Sequence, residues 1–334
     1  MSEMKLLITG GSGFIGTNLV ELLLDNNISG IFNVDKEKPL NAQHNKFWIE
    51  CDIMDEERLS KVFKQFEPTH VLHLAARTDT ASQNLDDYFE NTEGTRNVIN
   101  AIENTPSVKR VVITSTQYVY KSKEQPLPHS DEQYIPHTAY GISKKITEEL
   151  TRNSKMNCIW TIIRPTNVWG PWNMRYPNEF LKIVDKGLFM HPGNTQPVKS
   201  YGYVKNVAHQ IFGILKAPAE IVDKQVYYVG DLPMSSAEWV NSFSVELTGR
   251  TVRKIPFGLM KMASYAGDVI RKMNIPFPLH SVRFNNMIDD YLTPMQKTVD
   301  KFGLSHPDHD NNVKETINWI KNDGREHFTY WRNK

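Results

Sequence analysis

The chain has 334 residues at 38.5 kDa, room for one large or two interleaved domains. Hydrophobic residues make up 40% and charged residues 23%, ordinary globular usage that excludes disordered and fibrous classes. Its 39 Lys and Arg against 38 Asp and Glu give a formal charge of +1, without the basic field of a nucleic-acid binder, so no nucleic-acid partner is expected.

Over roughly the first 165 residues, short β-rich apolar runs alternate with helical patterns, the order of βαβ units around a parallel sheet. Strands are predicted at about 5–9, 30–34, 46–50, 69–74, 109–114 and 157–163. Helices are predicted from the three- and four-residue apolar spacing around Phe14 to Leu23, Leu59 to Phe66, Tyr88 to Ile102 and Tyr140 to Leu150. The first strand runs into Thr9-Gly10-Gly11-Ser12-Gly13-Phe14-Ile15-Gly16. Glycines there let the backbone approach a pyrophosphate at the positive end of the following helix, and two registers fit, Gly10-Gly13-Gly16 and Gly11-Gly13-Gly16. Asp35 ends the second strand, nineteen residues beyond Gly16, where a carboxylate accepts from ribose hydroxyls and repels a 2′-phosphate. This favours NAD, with Lys36 beside it leaving NADP open.

The strand at 109–114 ends in Ser115 and Thr116, hydroxyls at a carboxyl edge where doubly wound sheets bind ligands. Tyr140 and Lys144 then stand one turn apart on one helix face. A neighbouring ammonium stabilises phenolate, so this spacing suits a tyrosine that takes or gives a proton at a carbinol. Beyond Arg164 the prolines and glycines multiply, and strands become rare until 225–230. Ser235-Ser236-Ala237-Glu238 reads as a helix start. The stretch from Leu259 to Ile270 is amphipathic and is expected to pack as core rather than on a membrane, and the aromatic and basic tail 325–332 is expected to pack as a terminal helix. Leu6 to Ile8 is too short for a signal-peptide core, and no apolar run of about 18 residues predicts a membrane span. Cys51 and Cys158 stand alone, without metal-ligand spacing. A cytoplasmic chain with no disulfide framework and no metal is expected.

Together the glycine-rich segment, Asp35, Cys51-Asp52-Ile53, His73-Leu74-Ala75-Ala76, Asn91 to Val98, Ser115-Thr116, Tyr140 with Lys144, and Arg164 to Pro171 resemble the extended short-chain dehydrogenase/reductase superfamily. The resemblance is to its branch of nucleoside-diphosphate-sugar epimerases, dehydratases and ketoreductases. It implies an α/β fold, a Rossmann doubly wound parallel sheet with a smaller, loop-rich C-terminal substrate domain. Residues 1–172 would bind NAD, with a return of the chain near 196–232, and 173–334 would mainly bind substrate. It also implies that Asp52 and Ile53 hold the adenine, that Leu74, Ala75 and Ala76 line the dinucleotide with Gly10, Gly13, Phe14, Ile15, Gly16, Asp35, Asn91 and Tyr140, and that Lys144 bonds the nicotinamide ribose. Tyr140 would be the acid/base and Thr116 its hydroxyl partner.

The same resemblance places Asn167 near substrate phosphates and implies a homodimer. Thr80, Gln117, Ala81 and His137 are candidates for substrate contact, and His73 for a structural role. Dehydratases of this branch usually carry Asp-Glu where Gln117-Tyr118 stand here, which disfavours dehydration. Lys199-Ser200 replace a usual Arg-Asp, leaving Lys199 as a point-charge substitute for a phosphate clamp. The expected activity is NAD-dependent 4-epimerisation or ketoreduction of a nucleoside-diphosphate sugar. Tyr203-Val204-Lys205-Asn206-Val207-Ala208-His209 is similar to the 3β-hydroxysteroid dehydrogenase side of the superfamily, so a lipophilic-alcohol dehydrogenase stands as an alternative, and a non-catalytic dinucleotide sensor as another.

Overall fold

The computed structural model describes residues 4–121 and 127–332, except 274, 276 and 278. Its central sheet has seven strands: β1 Leu6–Thr9, β2 Ile31–Asp35, β3 Trp48–Glu50, β4 His70–His73, β5 Arg110–Thr114, β6 Ile159–Pro165 and β7 Gln225–Val229. All pairings are parallel, in the order β7-β6-β5-β4-β1-β2-β3. The six strands expected before residue 165 and the one at 225–230 are all present. Because side chains alternate across a strand, Leu6 and Ile8 enter one core while Leu7 enters the other. Helices α1 Phe14–Asp25, α2 Glu56–Phe66, α3 Thr95–Glu103, α4 Ala139–Arg152 and α5 Val204–Lys216 flank it. Leu19, Val20 and Leu23 of α1 share the first core with Val207 and Ile211 of α5, and Leu59 and Phe63 of α2 share the second with Val98 and Ile102 of α3. A sheet apolar on both faces needs this double cover.

The helix expected from Tyr88 to Ile102 is interrupted. A 3-10 turn, Leu85–Tyr88, and a π-helical turn, Glu90–Gly94, precede α3. The wide turn presents the Asn91 carbonyl to two hydroxyls, Thr95 Oγ1 at 2.9 Å and Thr147 Oγ1 at 2.7 Å. Apolar spacing does not carry that signal.

The chain forms two compact units. The sheet unit comprises Met1–Val168, Gly202–Asp231 and Thr293–Pro307; the second comprises Trp169–Tyr201, Leu232–Leu292 and Asp308–Lys334. The chain returns to the sheet unit twice, through Gly202–Asp231 and through Thr293–Pro307. Asn206 fastens the second return: its amide donates to Asp231 Oδ1 at 2.7 Å and to the His306 carbonyl at 2.8 Å, and its oxygen accepts from the His306 N–H at 2.7 Å. His209 Nε2 meets the Phe302 carbonyl at 3.0 Å. The Asn206 and His209 positions that resembled hydroxysteroid dehydrogenases are therefore occupied in holding the chain together.

In the second unit, Ser235 caps the helix Ser236–Thr248 by accepting from the Ala237 N–H. That helix carries Trp239, stacked on Tyr201 at 4.4 Å, and Phe243, which stands edge-on to Trp169. The aromatic tail joins a core through Phe328 and Trp331, both buried. One expectation fails: helix α6, Phe257–Lys272, exists, but only Met260, Ser264 and Gly267 are buried. Leu259, Met262 and Val269, expected as core, are exposed. Among the described residues no helix is long and apolar enough to cross a membrane.

Candidate active site

The strand order reverses between β1 and β4, and ligands of open α/β sheets lie at the carboxyl ends beside such a switch. There Gly10 adopts φ +77°, and an added Cβ would overlap the Ala75 amide nitrogen. The Ala75 N–H in turn donates to the Thr9 carbonyl at 2.9 Å, so the turn after β1 and the loop after β4 lie backbone to backbone. Gly13 caps α1 without any side-chain hydrogen bond, and the first turn of α1, which includes Phe14, Ile15 and Gly16, has no acidic residue. This helix end suits an anion. Asp35 accepts from the Ser12 N–H at 3.0 Å and from the Glu37 N–H at 3.0 Å. Burial raises its pKa, and these donors oppose the rise. Lys36 lies 3.9 Å from Asp52 and 3.7 Å from Glu90, so carboxylates already face the cation that had left NADP open. Ile53 is buried, and its carbonyl accepts from Asn97 at 3.0 Å. Leu74 and Ala76 are half-buried beside Ala75.

Thr116 caps the short turn Gln117–Val119 and hydrogen-bonds the Tyr140 side chain. Tyr140 lies in the first turn of α4, which is fixed by Thr138 accepting from the Gly141 N–H at 3.0 Å. Tyr88 and Tyr118 pack beside its ring, each with centroids at 6.1 Å. Burial pushes the Tyr140 pKa up to about 12, opposed by the Thr116 hydrogen bond. Burial pushes Lys144 down to about 7, opposed by the Glu148 carboxylate. At neutral pH the pair thus offers a phenol and an amine populated in both charge states.

The scaffold beneath this pair was not evident from the sequence. Glu148, one further turn along α4, makes a two-pronged pair with Arg164, both hydrogen bonds at 2.8 Å and both side chains fully buried. Arg164 also donates to the Tyr228 hydroxyl at 2.8 Å, and Tyr134 donates to Glu148 at 2.9 Å. These bonds tie α4 to β6 and β7. The spacing Tyr140-Lys144-Glu148, one face at every turn, was the available signal.

Asn91, expected against the dinucleotide, has its side chain engaged on the protein. Its oxygen accepts from the Arg77 N–H at 2.8 Å, and its amide donates to the Arg77 carbonyl and to Ser143 Oγ, both at 2.9 Å. It locks the loop after β4 to α4. His73 is likewise internal, bonded to Thr9 at 2.7 Å and Thr95 at 3.1 Å, with burial holding its pKa at about 3. Gln117 is buried, whereas Thr80 and Ala81 lie exposed on the loop after β4. His137 stacks on Tyr118 at 5.2 Å, and burial lowers its pKa to about 4. Asn167 is half-buried in the sheet unit. Lys199, in the second unit, donates its ammonium to the Asn286 carbonyl. A phosphate at Lys199 has to compete with that bond.

Residues 6–230 match the model of the NAD dependent epimerase/dehydratase family. The chain belongs to this family. An N-acetyl-alpha-D-glucosaminyl-diphospho-ditrans,octacis-undecaprenol 4-epimerase of Escherichia coli O157:H7 is 31% identical over 283 residues, 80% of either chain. A GDP-6-deoxy-D-talose 4-dehydrogenase of Aggregatibacter actinomycetemcomitans is 28% identical, covering 64% of this chain and 70% of its own. Among solved structures, UDP-glucose 4-epimerase of Thermotoga maritima with UDP-glucose superposes with a TM-score of 0.74 at 20% identity, covering 96% of this chain and 99% of its own. At that identity the likeness concerns the fold. Membership in the NAD-dependent epimerase/dehydratase family makes NAD the cofactor, and the cradle fits it: an uncapped helix end for the pyrophosphate and Asp35 for the ribose.

Proposed function

We propose that this enzyme reversibly oxidises C4 of a diphosphate-linked sugar and thereby catalyses 4-epimerisation, with Thr116, Tyr140 and Lys144 as its catalytic group. The observation that carries this reading is the buried Tyr140, hydrogen-bonded to Thr116 and one turn from Lys144. Tyr140, held neutral by burial, can give its proton to a C4 keto oxygen. In the opposite direction it receives the hydroxyl proton, and the ammonium form of Lys144 favours the phenolate this requires. Held by the turn from Gly10 to Gly16 and by Asp35, NAD would supply hydride acceptance and return at C4, and return to the other face would invert the carbon. Thr116 orients the sugar oxygen, and Gln117 with Tyr118 provide no acid/base pair for dehydration.

The substrate named for the O157:H7 relative carries its diphospho-sugar on undecaprenol, so the carrier is either a nucleoside or a polyprenol; Asn167 is the candidate phosphate contact of the sheet unit, and Thr80 and Gln117 are the candidate sugar contacts. Incubation with NAD and UDP-, GDP-, CDP-, dTDP- and polyprenyl-diphospho sugars is expected to yield an epimer from at least one. No turnover across that panel sinks the reading. Net NADH accumulation on a lipophilic alcohol would replace it with the dehydrogenase alternative. We also place the enzyme in the cytoplasm as a homodimer. Exposed Phe89 and Ile142, beside Asn91 and on α4, support that pairing, and a monomer in light scattering would refute it.

A further inference from the structure

Helix α6 has two apolar faces. The inner one is packed within its own unit: Gly267 has no Cβ, and one added there would overlap the Leu279 carbonyl oxygen; Phe257 meets Phe284 at 5.3 Å; and Asp268 accepts from the Ser281 N–H at 3.1 Å. On the outer face Leu259 is 55% exposed, Met262 64%, Tyr265 54%, Val269 61% and Met273, just past the helix, 67%. Steps of three and four residues align them as one stripe. By helical geometry Lys261 and Lys272 border the stripe on the Tyr265 side. The charge is just as uneven. Residues 250–288 hold seven Lys or Arg and one acid, Asp268, a net +6 in a chain whose total is +1. The remaining residues are therefore net acidic.

A soluble surface has no reason to expose a long apolar stripe on a helix whose opposite face is already packed. A second protein copy would cover the stripe but would bring Lys261 and Lys272 against like charge, whereas an anionic bilayer satisfies both features: the apolar residues enter the acyl boundary and the two lysines meet headgroups. We propose that α6 is an interfacial helix that docks this enzyme on an anionic lipid surface through Leu259, Met262, Tyr265, Val269 and Met273, with Lys261 and Lys272 at the headgroups. The unit that contains α6 would then lie against the membrane without any spanning segment. The proposal does not rest on the sugar chemistry, since vesicle binding is read without substrate.

The test is co-sedimentation of the full chain with vesicles of phosphatidylcholine alone and of phosphatidylcholine mixed equally with phosphatidylglycerol. Binding to the anionic vesicles about tenfold or more tighter, and weaker at high salt, is expected. Lys261→Gln with Lys272→Gln should lower it by roughly fivefold per charge, and Met262→Ser with Val269→Ser should lower it on both salt conditions. Equal or absent binding to the two vesicles overturns the proposal, and that comparison needs no variant. So does a wild-type dimer in light scattering that Met262→Ser with Val269→Ser converts to monomer, because the stripe would then belong to a second copy.

Discussion

In the sheet unit, α4 is fixed on every side: Thr138 caps it, Asn91 ties it to the loop after β4, and the buried Glu148–Arg164 pair ties it to the strands. In the second unit, α6 is fixed on one side only and exposes its outer stripe. The difference suits the role proposed for each helix. A proton-transfer group must hold its geometry to a fraction of an ångström, and buried hydrogen-bonded pairs supply that rigidity. A helix that meets a soft, fluid partner needs only a packed back and an accessible front.

The contrast can be attacked from both ends. Removing the phenol from the rigid helix should have the largest effect: Tyr140→Phe is expected to lower kcat by about 10²–10⁴-fold, roughly 3–5 kcal/mol, while NAD binding by fluorescence titration is unchanged. Loss of NAD binding in that variant would make the Tyr140 phenol a cofactor contact instead. Glu148→Gln leaves Arg164 buried without its carboxylate and should destabilise the sheet unit by about 3–5 kcal/mol in denaturant unfolding. Gly10→Ala forces a left-handed residue against the Ala75 backbone; the conformation alone costs about 1–2 kcal/mol, and NAD affinity should fall with it.

A smaller effect is set by pH. Burial holds His73 at about 3, and His70 and His137 at about 4, against an ordinary 6.5. Below pH 6.5 the unfolded chain takes up protons that the folded chain refuses, so stability should fall as pH drops from 6.5 toward 4. His73→Asn should flatten that slope in a series of thermal melts; an unchanged slope would mean His73 is not held neutral. The smallest effect is expected on α6, where Met262→Ser should change stability by less than about 0.5 kcal/mol. A loss of several kcal/mol there would mean that the stripe is core after all.

Much of the sheet unit was legible because its signals are local. The alternation at Leu6, Leu7 and Ile8, the glycines after Thr9 and the four-residue step from Tyr140 to Lys144 each lie within one turn or strand. Glu148 and Arg164 are sixteen residues apart, and their pairing depends on how α4 lies on the sheet. The carbonyl that Asn91 presents depends on a π turn. Neither follows from periodicity. The misreading of α6 has a different origin: Met260 and Met262 look alike in sequence, and only the orientation of the helix decides which one is buried. The bonds of Asn206 were hidden for a related reason, since they reach His306 in the chain's return at 293–307, 100 residues away.

Isotopic labelling decides whether Tyr140 and its neighbours run a hydride exchange at C4. Each diphospho-sugar of the panel, carrying deuterium at C4, would be incubated with the enzyme in ordinary water and the epimer examined by mass spectrometry. The wild-type enzyme is expected to give an epimer that keeps its deuterium, and Tyr140→Phe little or no epimer. Deuterium lost to solvent would show inversion by proton exchange at carbon and contradict hydride exchange.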